Sequence, residues 1–525
     1  MKQRLVLAWD LGTSGAKAGV VTPQGEVLAS EFVPTGLELL PDGGAEQKPD
    51  EWWSALCTAT ERLLANPAVD RSAIAAIGVT AQWSSTVAVD ALGAPLGNAI
   101  IWMDSRGARH VRELVGGPIQ VAGYSPIKLL RWIRVSGGAP GRAGKDSLAH
   151  ILYLKHAQPK LYERTHCFLE PKDYLTFRLT GRQCATYDSI ALYWLTDNRD
   201  PNRISYDQAL LGMTGIPRSK LPELCPASEI LGKLLPEHVK RFGLDPSVVV
   251  AAGAPDVHSA AIGAGTTRDF DAHLYVGTSS WISCHVPRKR TDVVHNMAAL
   301  PAAIRGRYLL LNDQETAGAC LTQLRDRVLY GDDELGTPAP DDVFQRFDRA
   351  AAKAPAGSRR LIFLPWLYGE RTPVEDRTLR GGFINYSLQH DRRDLVRAVL
   401  EGVAYNSRWL LGAVESCTSR RMAELRFIGG GADSALWSQI FADVLDRPLL
   451  RVENPRLSNL RGAAMIALVA MGELDFAEVP QRVPVVGRIE PRAEHRAIYD
   501  ELFGEFLALH GALSPSFKRL NADAS

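Results

Sequence analysis

Residues Leu5–Val21, LVLAWDLGTSGAKAGVV, are answered in the second half of the chain by His273–Val286, HLYVGTSSWISCHV. Each stretch is an apolar run, then Gly-Thr-Ser, then a second apolar alternating run, and the first adds Asp10. Alternation on both sides of a small-residue loop predicts strand, tight turn, strand. Gly12 and Gly277 let the backbone turn sharply and bring N–H groups close to a ligand, and Thr13, Ser14, Thr278 and Ser279 add hydroxyls. A concave cluster of donors favours an anion. Two such loops, one in each half, predict a polyphosphate held between two related domains. The G-x-x-x-x-G-K-[ST] spacing is absent and a strand follows where that motif needs a helix. Two ordinary Gly-Ser hairpins are the plain alternative.

A length of 525 residues gives room for two domains, each with its own core. Lys plus Arg number 60 against 59 acids, so no electrostatic footprint for nucleic acid is present. Seven cysteines (Cys57, Cys167, Cys184, Cys225, Cys284, Cys320, Cys417) are scattered and form no C-x-x-C pair. With no signal-peptide pattern at the N-terminus and no apolar stretch near ~18 residues, they read as reduced thiols of a cytoplasmic protein with no membrane partner. No His/Cys group has zinc spacing.

Ile74–Val79, Ser85–Val89 and Ala99–Met103 read as strands, Leu148–Ala157 as a helix, and Tyr308–Leu311 as a strand. Around Asp245–Gly265, VVVAAGAPDVHSAAIGAG predicts a buried strand, a Gly-Ala-Pro turn and a small-residue helix. The division into domains is placed there, as 1–252 and 253–525. Asp394–Leu411 carries apolar residues at 395, 396, 399, 400, 403 and 404, a helical stripe, with Asp391 as N-cap and Asp394 three residues on.

Two further segments carry chemistry. Leu425–Leu445, LRFIGGGADSALWSQIFADVL, predicts a strand ending in three glycines, then a helix capped by Asp433 or Ser434. Glycines leave room for a flat ring or ribose-phosphate on the backbone, and a helix N-terminus suits an α-phosphate. In Gly253-Ala-Pro-Asp256-Val-His258, an acid at a strand end beside the domain boundary faces a cleft. Phosphoryl transfer needs positioning, a metal to neutralise charge and a carboxylate to accept the attacking hydroxyl's proton. Asp256 fits that base, with a helix N-cap as its alternative role; Asp10 is placed to reach Mg²⁺ directly or through water. His258 reads as a satisfied, partly buried histidine, with a second base as its alternative.

These segments, in this order, resemble the FGGY family of carbohydrate kinases, from Asp10-Leu-Gly-Thr-Ser-Gly-Ala-Lys17 to a C-terminal helix at Ile498–His510. Further matches are Glu46-Gln47-Lys-Pro-Asp-Glu-Trp52-Trp53, Ile101-Trp102-Met-Asp104-Ser-Arg106, Pro171-Lys172-Asp173-Tyr174-Leu175, Gly369-Glu370-Arg371-Thr372-Pro373 and Arg380-Gly-Gly-Phe383. The resemblance implies an α/β protein of two actin-like (ribonuclease H-like) ATPase domains flanking a central cleft, with ATP and Mg²⁺ bound there. It implies Asp256 as catalytic acid–base residue, Asp10 as the metal-associated aspartate, and Thr13, Ser14, Lys17, Gly277 and Thr278 in the phosphate loops. Gly318, Gly430, Gly431, Ala432 and Ser434 fall on the nucleotide side. Within the family the motifs look most like xylulokinases, which implies transfer to a ketose, a pentulose such as D-xylulose.

The sugar-facing segment departs from that pattern: Ala81-Gln82-Trp83-Ser84-Ser85 stands where xylulokinases carry Gly-Gln-Met-His and glycerol kinases Gln-Arg-Glu. Gln82, Trp83, Ser84, Trp102 and Asp104 are the expected sugar contacts, with Trp83 an exposed apolar face or plain core. His150-Ile-Leu-Tyr153 stands where the family has Lys-aliphatic-x-Trp, and Ser458-Asn-Leu-Arg replaces an apolar stretch before Gly462. The expected partners are a small-molecule sugar and a second copy of the chain in a homodimer. Other ketoses or polyols (ribulose, a heptulose, a tetritol), an actin-like ATPase assembly module and a sugar-binding regulator without catalysis are the alternatives.

Overall fold

The computed structural model describes residues 4–522. Strand Leu5–Gly12 pairs antiparallel with Gly15–Val21, which pairs with Val27–Pro34. On its other side Leu5–Gly12 runs parallel to Ile74–Ala81, and that strand runs parallel to Val249–Ala251 and Ala254–Pro255. Ile230–Lys233 closes this seven-stranded sheet as an antiparallel edge. The second half repeats the plan in eight strands. A hairpin, Ala272–Val276 with Ser280–Val286, has Leu425–Ile428 and Leu449–Val452 parallel on one side, then Val485–Ile489 as antiparallel edge. On the other side lie Tyr308–Leu311, Met297–Pro301 and Thr291–Asp292. The expected pair of actin-like domains is therefore present, each an antiparallel hairpin extended by parallel strands.

Alternation along Leu5–Gly12 decides which face meets what. Leu5, Leu7, Trp9 and Leu11 pack with Trp52, Trp53 and Leu56 of helix Pro49–Ala65. Val6 and Ala8 point the other way, against Leu460, Ala463 and Ala464 of helix Ser458–Ala470, which belongs to the second half. Both faces are buried, so the strand reads as a continuous apolar run. Asp10 is the next residue on the Val6–Ala8 face, so the pleat aims the one acid of the strand at the junction between halves. In the second hairpin Tyr275 falls on the corresponding face.

The halves join where two helices cross. Each follows the last parallel strand of its own sheet: Asp256–Gly263 after Ala254–Pro255, and Ser458–Ala470 after Leu449–Val452. A β-carbon at Gly263 would lie 1.8 Å from the Ser458 carbonyl oxygen, and one at Gly462 would lie 1.9 Å from that of Ser259. Only glycine permits these two backbones to meet so closely. Buried Arg461 then ties the crossing to the first half, donating from Nε to the Gly25 carbonyl at 2.7 Å. That contact explains why a polar stretch stands before Gly462.

Local expectations were met at several elements and revised at others. The helix over the 394–411 stripe spans Arg392–Thr418, with a capping box between Asp391 and Asp394, and runs on because Val414 and Thr418 continue its buried face. Of the strand expected over Ala99–Met103 only Ala99–Ile100 forms, and Trp102 turns away toward the first hairpin loop. The residue 252/253 division falls between Val249–Ala251 and Ala254–Pro255, which still pairs with the first sheet.

Candidate functional site

In the first hairpin Asp10 stands directly across from Lys17, and their side chains meet with Nζ 3.0 Å from Oδ2. Asp10 is 2 % exposed, and its charge raises the Lys17 ammonium above the usual lysine range. At the loop, the Thr13 hydroxyl donates to Gln82 Oε1 (2.8 Å) and accepts from the Trp102 indole N–H (2.9 Å). Gln47 completes this chain: its Nε2 donates to the Thr13 carbonyl (2.9 Å), and its Oε1 accepts from Gln82 Nε2 (2.7 Å). Three expected contacts, Thr13, Gln82 and Trp102, are thus one connected group that fixes the loop. Ser14 is exposed at its tip.

The second hairpin has the same shape with different cargo. At the cross-strand positions corresponding to Asp10 and Lys17 it carries Tyr275 and Trp281, stacked at 3.8 Å between ring centroids. Thr278 is exposed at the tip. Gly318 opens helix Gly318–Leu324 and donates its N–H to the Gly277 carbonyl at 2.8 Å. A β-carbon at Gly318 would lie 2.5 Å from that same oxygen, so Gly318 sets the second hairpin loop against helix Gly318–Leu324 by close backbone approach.

Behind this loop, strand Leu425–Ile428 ends in the three glycines, which divide their roles. Gly429 has φ 85°, and a β-carbon there would meet the Val276 carbonyl at 2.5 Å; one at Gly431 would meet Val276 Cγ1 at 2.7 Å. Gly430 faces outward, with its nearest neighbour, Arg456, at 3.6 Å. Ala432 is buried. Ser434, not Asp433, caps helix Ala435–Leu445, accepting from Trp437 N–H at 2.9 Å and donating to Asp348 at 2.9 Å. Asp433 pairs instead with Arg456.

Asp256 is the first residue of helix Asp256–Gly263; the cap position is Pro255, so its carboxylate is not the N-cap, although Oδ1 accepts the Val257 N–H at 2.9 Å. Lost hydration in the crowded junction, and then the charge of Asp10, push the Asp256 carboxyl up to about 7, with Lys17 opposing. A carboxylate poised near neutrality suits proton acceptance. Asp313, unremarked in the sequence, adds to this cluster. Burial raises it to about 6, and its Oδ2 lies 2.9 Å from Arg371. Arg371 also pairs with Glu315, while Glu370 beside it is buried and accepts from the Glu315 and Arg371 N–H groups and from Asn406.

The sugar-side expectations divide. Trp83 is 8 % exposed, its indole N–H donates to the Ser189 carbonyl at 2.9 Å, and its ring meets His258 edge-on at 5.3 Å. The exposed platform expected of Trp83 is therefore a packed wall. Asp104 is fully buried: Oδ1 accepts from the Arg106 N–H and Oδ2 from Arg106 Nε and the Ala45 N–H, all at 2.9 Å. Its oxygens hold local structure together, in contrast to the free acceptor expected. Ser84, with φ 59°, donates from Oγ to the Lys145 carbonyl at 2.8 Å. His258 is fully buried with neither ring nitrogen hydrogen-bonded among the described residues, and burial pushes it down to about 3; it is neutral, but not satisfied as expected.

Asp10, Lys17 and Asp256 thus meet at the junction, each half adds a Gly-Thr-Ser loop with an exposed tip residue, and Gly430 faces outward on the second half. Among the described residues no group of three or more metal-ligating side chains gathers, and no helix is long and apolar enough to cross a membrane. The chain is 29 % identical to a xylulose kinase of Escherichia coli K12, covering 96 % of this chain and 98 % of that one. A solved xylulose kinase from Rhodospirillum rubrum superposes with a TM-score of 0.82 at 26 % identity, covering 98 % of this chain and 100 % of the other. A gluconate kinase from Lactobacillus acidophilus shares the fold, with a TM-score of 0.86 at 24 % identity over 99 % and 100 % of the two chains. The N-terminal domain model of the FGGY family of carbohydrate kinases matches residues 5–263 and the C-terminal domain model matches 272–471. With both domain models matched in order, the chain belongs to the FGGY family of carbohydrate kinases, ATP-dependent sugar phosphotransferases.

Proposed function

We propose that this kinase transfers the γ-phosphoryl group of ATP to a hydroxyl of a pentulose such as D-xylulose. The observation that carries the reading is the place of Asp256, at the start of the junction helix beside the Asp10–Lys17 pair, where burial and the charge of Asp10 push its carboxyl up. In the reaction the acceptor hydroxyl gives its proton to Asp256 as its oxygen bonds to the γ-phosphorus and the bond to the β–γ bridging oxygen breaks, leaving ADP. Backbone N–H groups and the Ser14 and Thr278 hydroxyls at the loop tips hold the phosphates, and Lys17 offsets their charge. The open face at Gly430 takes the nucleoside.

Residues 1–252 thereby supply the acid–lysine pair and sugar-facing segment, Asp256 stands at the joint on the helix that follows the first sheet, and the rest of 253–525 supplies the nucleotide side. The donor chemistry fits Mg²⁺, which binds through one or two carboxylates, waters and substrate phosphates. Asp10 would hold it, because Lys17 occupies Oδ2 and no hydrogen bond among the described residues engages Oδ1. When bound, the ion would offset phosphate charge. Gln82, buried with Oε1 taken by Thr13 and Nε2 by Gln47, serves the sugar side by fixing the first loop, and Trp102 supports it through the same Thr13 hydroxyl. The seven cysteines are unpaired, which supports a reducing, cytosolic setting.

The test is ADP release with D-xylulose, D-ribulose, glycerol and gluconate, and with no sugar. A pentulose preferred over glycerol by more than ~100-fold in kcat/KM is expected. ADP release independent of any sugar would overturn the reading.

A further inference from the structure

A buried cation on the sugar side takes no part in the account so far. Lys145 lies in the first half, its side chain 16 % exposed, and reaches across the cleft to Glu315 of the second half. That contact, Nζ to Oε1, is 3.5 Å, longer than an ordinary N–H···O bond of roughly 2.7–3.2 Å. The face of Tyr368 lies 6.0 Å away. Glu315 is drawn instead toward Arg371, which also holds Asp313. An ammonium has three protons to donate, and leaving them short of acceptors in a buried place is costly. The backbone of Lys145 is meanwhile strapped to the sugar-facing segment by the Ser84 hydroxyl at 2.8 Å.

We propose that Lys145 is a specificity-determining residue for the acceptor: its ammonium, anchored through Ser84 and reaching Glu315 across the cleft, donates hydrogen bonds to oxygens of a neutral ketose. This rests on the kinase reading above and deepens it. Charge balance chooses the ligand class. Lys145, Arg371 and Arg377 stand against Asp313, Glu315 and Glu370, so the group already holds its own counter-charges and calls for polar oxygens, carbonyl and hydroxyl.

The test is Lys145→Met, read by steady-state kinetics against D-xylulose and ATP. The KM for the ketose should rise at least about tenfold, the loss of a charged hydrogen bond, while kcat and the KM for ATP change little. Lys145→Gln, which keeps a donor, should fall between, and it is read by the same split if the Met variant does not fold. An unchanged ketose KM in a folded variant, or equal losses for both substrates, would overturn the proposal. So would a wild type preferring gluconate, with that preference lost in Lys145→Met, because the ammonium would then be reading a carboxylate. Absence of sugar-dependent turnover in the wild type would instead remove the kinase reading, before any variant is compared.

Discussion

The two hairpins are one device carrying opposite chemistry. Both place a Gly-Thr-Ser turn at the cleft and aim one strand face at the junction between halves. On that face the first carries Asp10 and Lys17, the second the stacked pair Tyr275 and Trp281. On the proposed reading, the charge that handles phosphate and proton comes from the first side and the joint, and the second hairpin supplies an aromatic wall beside the nucleotide. A duplicated fold gives each half a Gly-Thr-Ser turn. Within the hairpins, one pair of cross-strand positions carries the difference, ionic in the first and aromatic in the second.

If this division holds, changes on the charged side must act on chemistry and changes on the aromatic side on packing or nucleotide binding. The largest effect is expected for Asp256→Asn, a loss of roughly two to four orders of magnitude in kcat, with ATP affinity by calorimetry nearly kept. Next comes Asp10→Asn, expected to lower kcat about a hundredfold through lost charge positioning at the phosphates. It should also move the pH profile. Asp256 must be ionised to accept a proton, so wild-type turnover should fall as pH drops through about 7. Removing the negative neighbour eases ionisation, so the acid limb of the variant should lie at lower pH. A limb that stays in place would separate Asp10 from Asp256.

On the other side, Gly430→Val should raise the KM for ATP about tenfold by filling the open face and leave the sugar KM alone. The nearest atom to its β-carbon, at 3.6 Å, belongs to Arg456, so the fold should survive. Gly429→Val, at φ 85° and 2.5 Å from a carbonyl, should instead lower the melting temperature. The smallest effect is expected for Trp281→Leu, which removes a stacked pair worth about 0.5–1.5 kcal/mol beyond its burial and should leave kcat within about threefold. A loss in kcat matching that of Asp10→Asn would break the comparison.

Much of this was legible in the sequence because it rests on local rules. Alternation about Gly-Thr-Ser gave both hairpins, the 3.6-residue stripe with Asp391 gave helix Arg392–Thr418, and the strand–glycine–helix order gave the loop at Gly430. What was not legible depends on distant chain segments meeting. Trp83 looked like an exposed sugar platform because its partners, Ser189 and His258, lie far along the chain. Asp104 looked available because Ala45 and Arg106 occupy it only in the fold. Asp313 had no motif to mark it, and Arg371 stood in a recognised motif without an evident task until Asp313, Glu315 and Lys145 gathered around it. Glycine's role at the helix crossing, Gly263 against Ser458 and Gly462 against Ser259, is likewise a property of contact that no local pattern declares.

The most direct test of the central claim, that the charged side drives phosphoryl transfer to a sugar hydroxyl, is ³¹P NMR of the wild type and Asp256→Asn with ATP, Mg²⁺ and D-xylulose. The wild type is predicted to yield ADP and a sugar phosphate monoester in equal amounts, and Asp256→Asn almost none over the same time while still binding nucleotide. Inorganic phosphate in place of the monoester, or equal monoester from both proteins, would contradict it.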